Sequence, residues 1–297
     1  MTFFGMMNVR NESRWIAEVI ESLLPLCDFI FILDDNSTDD TLKICRGYEP
    51  RVMAYTARTR PSYQSLSREA MGLDGYETDK ARDKNYIYDR LLSYIPASEI
   101  NEESPYWVVA IDGDEVLEKE GAEVIRLAAA TTKAHSLALH VRYLWSSNFD
   151  YRATAAWPSI ACLAEEETYE SFHGPPPPPQ YKERVDGVYS SMWRPSVFHV
   201  INPTFKFDPT PFPGNRHCPN VPTELVGNHE RIPVRLKHYG YLEREQRVKK
   251  YLGYLRDDPG NEGEDQYRHM VIGDLPSLPA DSVTKLAGPL KLVPYEP

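Results

Sequence analysis

Carboxylates gather in two short stretches of this sequence, and each stretch follows an apolar run. The first is "FILDDNSTDDT" at positions 31–41, and the second is "VVAIDGDEVL" at positions 108–117. Oxygen ligands at this density suit Mg²⁺ or Mn²⁺, and such a metal can bridge protein carboxylates to a diphosphate. The acids concerned are Asp34, Asp35, Asp39 and Asp40 in the first stretch, and Asp112, Asp114 and Glu115 in the second.

Strands that alternate with helices must position these acids. Apolar runs predict strands over 3–9, 28–35, 51–55, 106–115 and 136–145. Helical spacing predicts helices over 13–24, 37–45, 79–95 and 119–132. This alternation is typical of an α/β fold with a mainly parallel sheet flanked by helices. The region 148–237 has no clean period, and a charged helix and a wrapping tail are predicted after it.

Both acidic stretches come at the carboxyl ends of predicted strands, where open parallel sheets bind their ligands. Alternate strand residues point the same way, so Asp112 and Asp114 can face one ligand. Gly113 between them permits close approach of the backbone. Asp39 and Asp40 have a simpler interpretation as first-turn helix residues, favoured by the helix dipole. Asp34 and Asp35 end a buried strand.

Composition excludes some partners. The net charge of the 297 residues is -11, which argues against sequence-independent binding of nucleic acids. No apolar run approaches the roughly 20 residues of a membrane helix, and the start of the chain does not resemble a signal peptide. The four cysteines are far apart, without a CxxC pair, and are predicted to be free thiols. These features predict a cytoplasmic protein without a membrane span.

The first 125 or so residues resemble the nucleotide-binding half of family-2 glycosyltransferases of the GT-A fold. The matching segments are "NVRNE" after the first strand, "LDDNSTDDT" after the second and "AIDGDEVL" as the D-x-D segment. "LKHYGY" at 236–241 is similar to a late His segment of GT-A enzymes. The Q-x-x-R-W segment of processive synthases is missing from the sequence. The resemblance therefore implies transfer of a single sugar.

The resemblance also assigns roles to residues. It implies that Asp35 reads the base of the nucleotide through a ring N–H, and that Asp112 lies near the ribose and the metal. Asp112, Asp114 and His238 would hold Mn²⁺ or Mg²⁺, although His238 can equally be a histidine bonded to a backbone carbonyl. The residues expected at the nucleotide are Val9, Arg10, Glu12, Asp35, Arg82, Lys84, Asp112 and Gly113.

The implied reaction is an inverting, metal-dependent transfer from a nucleotide-sugar, with a UDP-sugar favoured, to an acceptor hydroxyl. A base must deprotonate that hydroxyl. Glu224 is the first candidate, with Asp186 and Glu230 as rivals. We expect a catalytic domain at 1–240, with a nucleotide-binding half at 1–125 and an acceptor-side half at 126–240. A C-terminal helix and tail would follow at 241–297.

Two other functions remain open at this point. "VVAIDGDEVL" also fits the pattern of haloacid-dehalogenase phosphatases, in which Asp112 would be the nucleophile and Asp114 the acid/base. That pattern usually closes the first strand of its domain, whereas other strand–helix units precede it here. The third possibility is a protein that binds a sugar nucleotide without catalysis.

Overall fold

The computed structural model describes residues 1–56, 75–146, 186–208, 218–241 and 250. The strands in chain order are β1 (Thr2–Val9), β2 (Phe29–Asp34), β3 (Val52–Thr56), β4 (Tyr106–Ala110), β5 (Glu115–Leu117), β6 (Ser136–Ser146), β7 (Asp186–His199) and β8 (His229–His238). The helices are α1 (Ile16–Leu23), α2 (Thr41–Arg46), α3 (Gly75–Leu92) and α4 (Gly121–Thr131).

One sheet collects the eight strands in the order β3-β2-β1-β4-β7-β6-β8-β5. The pairs β1–β2, β1–β4 and β2–β3 are parallel, and β4–β7 is antiparallel. The parallel strands β1, β2 and β4 therefore end at the same edge, and loops from all three meet there. The predicted α/β fold with a mainly parallel, helix-flanked sheet is confirmed.

The main core lies between the parallel strands and α3. Phe4, Met6, Phe31 and Leu33 face that helix, and its residue Tyr88 is among the largest fully buried side chains. Burial of aromatic and aliphatic side chains of this size is the main force that holds α3 against the sheet. The turn of α3 that contains Asp83 is thereby brought to the carboxyl end of β1.

Two elements have other bounds in the structure than the sequence predicted. Helix α2 begins at Thr41 rather than at Ser37, and the residues before it form a polar loop. Strand β4 stops at Ala110, so Asp112 and Asp114 do not lie on it. The prediction that this strand continues through Asp112 and Asp114 is therefore wrong. Strand β7 was not predicted.

The chain divides into two compact units. Unit 1 comprises Met1–His140 and Trp193–Leu236, and unit 2 comprises Val141–Met192 and Lys237–Pro297. All eight strands contribute residues to unit 1. The predicted C-terminal helix and tail and the proline run at 175–179 lie outside the described residues. Within the part of the chain that the structure describes, none of the helices has the length and apolarity that a membrane crossing needs.

Candidate active site

Asp35 follows directly after β2 and continues the register of the parallel strands. Its backbone amide donates to the carbonyl of Val9 at 2.8 Å, one step beyond the last paired residues of β1 and β2. The carboxylate of Asp35 carries an ion pair with Arg10, whose Nη1 lies 3.9 Å from Asp35 Oδ2. Both side chains are partly exposed, so the pair lies at the surface where the strands end.

The loop after β1 is tied to the loop before α2. Asn11 and Asn36 both have left-handed backbones, with φ of 56° and 55°, a conformation that Asn tolerates better than most residues. The amide of Asn11 donates to Ser37 Oγ at 2.9 Å, and the amide of Thr38 donates back to Asn11 Oδ1 at 2.8 Å. These reciprocal bonds make the two loops a single polar structure.

Two of the four clustered aspartates maintain this loop structure. Asp34 is buried, and its Oδ2 accepts from the amide of Ser37 at 3.1 Å. Asp39 accepts from the amide and the hydroxyl of Thr41 and from the amide of Ser13. Partial burial acts to raise the pKa of Asp39, but these hydrogen bonds outweigh it and hold the pKa below its usual value.

The remaining pair of aspartates differs in position. Asp40 is exposed at the start of α2, where its Oδ1 lies 3.6 Å from Lys43 Nζ. Asp35 alone among the four combines a place at the strand ends with a partly exposed carboxylate. The structure thus separates Asp35 from its neighbours as the candidate for binding a ligand.

The D-x-D segment forms a turn after β4. The carbonyl of Asp112 accepts from the amide of Glu115 at 3.1 Å, and Glu115 Oε2 accepts from the amide of Asp112 at 2.9 Å. The two aspartates of this turn differ in exposure. Asp112 exposes 47% of its side chain, whereas Asp114 is buried.

Gly113 brings this turn against the loop after β1. A Cβ built on Gly113 would lie 2.8 Å from Val9 Cγ1 and 3.1 Å from Glu12 Cγ. Only a residue without a side chain lets the backbone of the turn approach the side chains of Val9 and Glu12 so closely. Val9, Glu12 and Gly113 are therefore brought together, and their role at a nucleotide stays a prediction.

Arg194 is a member of this site that the sequence did not identify. It lies on β7, and its guanidinium reaches both Glu115 and Asp112: Nη2 is bonded to Glu115 Oε2, and Nη1 lies 3.6 Å from Asp112 Oδ2. Glu115 is fully buried and Arg194 is 12% exposed. A signal for it exists in "SSMWRPSVFHV", where one arginine interrupts an apolar run and so requires a buried partner.

Lys84 lies on α3 and fastens a distant loop. Its ammonium donates to the carbonyls of Cys218 and Pro219 and to Asn220 Oδ1, at 2.8, 2.7 and 2.8 Å. Asn220 in turn donates to the carbonyl of Ala110, the last residue of β4, at 3.1 Å. An ammonium group has three donors, so all of them are used within the protein.

Burial has a clear effect on this ammonium group. The residue as a whole is half-buried, but its charged end is withdrawn from water, and this burial lowers the pKa of Lys84. Asp112 opposes the shift and Arg194 adds to it, so Lys84 shares the electrostatic environment of the D-x-D turn. Contact between Lys84 and a diphosphate stays a prediction, and it would require exchange of one existing hydrogen bond.

The neighbouring residues of α3 contact the end of β1. Asp83 is buried, and its Oδ2 accepts from Asn8 Nδ2 at 3.2 Å. Arg82 precedes it and is half-buried. The structure therefore brings this turn of α3 to the strand ends, and the role of Arg82 at a diphosphate stays a prediction.

Glu224, the first candidate for the catalytic base, lies in a short 3-10 helix. It is exposed, and its Oε2 accepts from the amide of Lys206 at 3.3 Å. The carbonyl of the next residue, Leu225, accepts from Ser136 Oγ at 3.1 Å. Glu224 is therefore held near the beginning of β6.

The beginning of β6 lies at the amino end of β4. The amide of His199 donates to the residue before Ser136, and His199 pairs with Trp107 near the start of β4. Asp112 follows the other end of that strand, about 16 Å further along an extended chain. A base must reach the acceptor hydroxyl within hydrogen-bond distance. The position of Glu224 therefore does not support its assignment as the base.

The rival bases are also placed away from the turn or lack a described side chain. Glu230 is exposed at the start of β8 and accepts from Thr132 Oγ1 at 2.6 Å. Asp186 begins β7, and its side chain lies outside the described part of the structure. The base thus remains without a structural assignment.

His238 belongs to unit 2, where it is buried against two aromatic rings that also stack on each other. The ring centroids of Tyr143 and Tyr241 lie 4.6 and 5.1 Å from that of His238. The amide of Gly240 donates to His238 Nδ1 at 3.2 Å. A neutral imidazole with an acceptor at Nδ1 carries its proton on Nε2, which then cannot bind a metal. This hydrogen bond disfavours the predicted role as a metal ligand.

The chemistry of the remaining donor set fits a hard divalent cation. Carboxylates of Asp112 and Asp114 offer oxygen ligands. Glu115 Oε1 is a buried carboxylate oxygen without a hydrogen-bond partner among the described residues. No group of three His, Cys, Asp or Glu residues in the described ranges is arranged to hold a metal alone. Further ligands would have to come from a bound diphosphate and water.

Comparison with known proteins gives no family. No protein family matches the chain, and no curated protein matches it by sequence. Among solved structures, it resembles residues 1–349 of TarS from S. aureus at 13% identity, with a TM-score of 0.40, over 96% of this chain and 76% of that one.

Two further solved structures are similar. TarS 1–349 in complex with UDP matches at 12% identity and a TM-score of 0.40, over 90% of this chain and 69% of that one. Glucosyl-3-phosphoglycerate synthase from Mycobacterium tuberculosis, in complex with UDP, matches at 20% identity and a TM-score of 0.28. The latter match covers 50% of this chain and 45% of the synthase.

Proposed function

We propose that this protein is a metal-dependent glycosyltransferase that moves one sugar from a nucleoside-diphosphate sugar to an acceptor hydroxyl. The observation that carries the proposal is the meeting of Asp35, the loop after β1 and the D-x-D turn at the ends of β2, β1 and β4. This edge of a parallel sheet is where such folds bind nucleotides. UDP-sugars are the favoured donors.

Each part of the edge has a proposed task. Asp35 accepts a hydrogen bond from a ring N–H of the base, since an ionised carboxylate is an acceptor only. Val9, Arg10, Glu12 and Gly113 line the nucleoside. Asp112 and Asp114 hold Mn²⁺ or Mg²⁺, which when bound would neutralise the charge that develops on the departing diphosphate.

Inversion at the anomeric carbon is the stereochemical outcome that we propose. It requires one direct displacement, in which the acceptor oxygen forms a bond to the anomeric carbon as the bond to the diphosphate breaks. The proton of the acceptor passes to a base outside the residues placed here. NMR of the anomeric proton in the product distinguishes inversion from retention.

A nucleotide screen tests the proposal most broadly. UDP and UDP-sugars with Mn²⁺ are expected to raise the melting temperature, because ligands that bind only the native state stabilise it. Slow release of UDP from a UDP-sugar without acceptor is expected as well, which a protein that only binds the ligand would not show. Turnover of a generic phosphate ester with Mg²⁺ would instead favour the phosphatase function.

A further inference from the structure

Arg194 connects two carboxylates that differ strongly in environment. Its contact with Glu115 is buried on both sides, and Arg194 Nε also donates to Ser196 Oγ at 3.3 Å. Its contact with Asp112 is longer, at 3.6 Å, and Asp112 is 47% exposed. The guanidinium is therefore held mainly by Glu115 and Ser196, and its contact with Asp112 is the weakest of the three.

The strength of each contact follows from this exposure. Breaking a buried charge pair leaves an uncompensated charge and is costly. An ion pair to a partly exposed carboxylate contributes little, because water and salt compensate for it. A competing cation at Asp112 would thus displace Arg194 Nη1 without releasing the guanidinium from Glu115.

We infer that Arg194 and a divalent cation compete for Asp112, and that Arg194 then serves the diphosphate as a second positive group. This inference rests on the proposed function. With the cation on Asp112, Nη1 no longer pairs with that carboxylate. The contact of Nη2 with Glu115 keeps the guanidinium beside the D-x-D turn, where Nη1 donates to a diphosphate oxygen. A planar guanidinium suits this task, because it can bind one carboxylate and one phosphate with different nitrogens.

The local charges agree with such an exchange. Arg194 contacts two carboxylates with a single positive charge, so it does not balance both of them. Removal of Arg194 alone would add a second negative charge and leave Glu115 buried without its partner. A variant that changes both residues avoids both complications.

The double variant Arg194→Met/Glu115→Gln tests the competition. It removes the buried pair but keeps the local net charge, since one positive and one negative group are lost. Without nucleotide, calorimetric titration with MnCl₂ is expected to show affinity about two- to fivefold higher than in wild type, the scale of a partly exposed ion pair. Arg46→Met, at an exposed position on α2, is the matched control and should bind Mn²⁺ as wild type does.

Activity provides the second half of the test. At saturating Mn²⁺ and UDP-sugar, the double variant should have a lower kcat, because the second positive group at the diphosphate is gone. Arg194→Lys is a further variant, since lysine retains the charge beside Glu115 but cannot span both carboxylates. It should also bind Mn²⁺ more tightly than wild type.

The outcomes separate this inference from the proposed function. Unchanged or weaker Mn²⁺ binding in both folded variants would overturn the competition and leave Arg194 as a residue that only positions Asp112. If wild type binds neither UDP nor Mn²⁺, the proposed function itself is wrong. Tighter Mn²⁺ binding together with a reduced kcat would support the exchange.

Discussion

The backbone amide of Asp35 donates to the carbonyl of Val9 at 2.8 Å, so the ladder between β1 and β2 extends into the candidate site. A loop residue held in this way has the backbone order of a strand. The backbone from which its carboxylate projects is therefore held in place beside Arg10. Such preorganisation lowers the entropic cost of ligand binding.

Gly113→Ala should disturb the contact between the D-x-D turn and the loop after β1. The added methyl group would meet Val9 Cγ1 at 2.8 Å, so either the turn or the side chain of Val9 must shift to accept it. We expect a loss of about 1–3 kcal/mol in unfolding free energy and weaker UDP binding. Gly227→Ala is the control in chemical denaturation, because its added methyl would meet nothing within 4 Å. Equal stability of the two variants would refute this close packing.

Lys84→Met should release the loop at 218–220 from α3. The variant keeps the length of the side chain but leaves two backbone carbonyls and Asn220 Oδ1 without the ammonium donor. We expect a loss of about 2–4 kcal/mol, the scale of charge-assisted hydrogen bonds. Urea denaturation measures it, with exposed Lys119→Met as the control. A loss below that of the control would show that the loop does not depend on Lys84.

His199 should make stability depend on pH. Burial lowers the pKa of His199, although its contact with the carbonyl of Ser104 acts in the opposite direction. The unfolded chain, with a histidine pKa of about 6.5, then binds protons more readily than the folded one. The stabilisation is therefore complete above about pH 6.5 and declines as the pH falls toward the folded-state pKa.

The corresponding variant is His199→Gln. Its unfolding free energy should fall less than that of wild type between pH 7.5 and about 5.5. Exposed His229→Gln serves as the control and should follow wild type. Parallel curves for wild type and His199→Gln in urea denaturation would exclude this contribution.

The variant Glu224→Gln tests whether Glu224 is the catalytic base, a question on which the sequence and the structure give different predictions. The choice of Glu224 as the base from the sequence predicts a strong loss of turnover, whereas the position of Glu224 near the amino end of β4 predicts a nearly normal kcat. We expect the latter. A large fall in kcat at unchanged UDP affinity would show that the base is Glu224 and that this region rearranges around the acceptor.

The sequence was a good guide where local pattern decides the structure. The strands β1 to β4 and the four helices could be predicted from apolar runs and helical spacing, with errors at their ends. Helix α2 begins late because Asn11 and Ser37 draw the preceding loop toward the end of β1. A bond across 26 positions of sequence leaves no local pattern.

The rest of the site depends on contacts that local pattern does not contain. Pro195 and Arg194 interrupt the apolar run of β7, so the segment does not read as an interior strand. Arg194 finds its partner Glu115 across 79 positions of sequence. Spacing located Asp35 and Gly113, but it could not reveal that an arginine from an antiparallel strand pairs with the D-x-D turn.

The most direct test of the proposed function is calorimetric titration of UDP, with Mn²⁺ present, into wild type, Asp35→Ala and Asp40→Ala. Asp40 comes from the same stretch but is exposed immediately before α2, so its variant should bind UDP as wild type does. Asp35→Ala should weaken binding by about 1.5–3 kcal/mol, the scale of a hydrogen bond to a charged group. Equal UDP affinity in all three proteins would contradict the placement of the nucleotide at the ends of β1, β2 and β4.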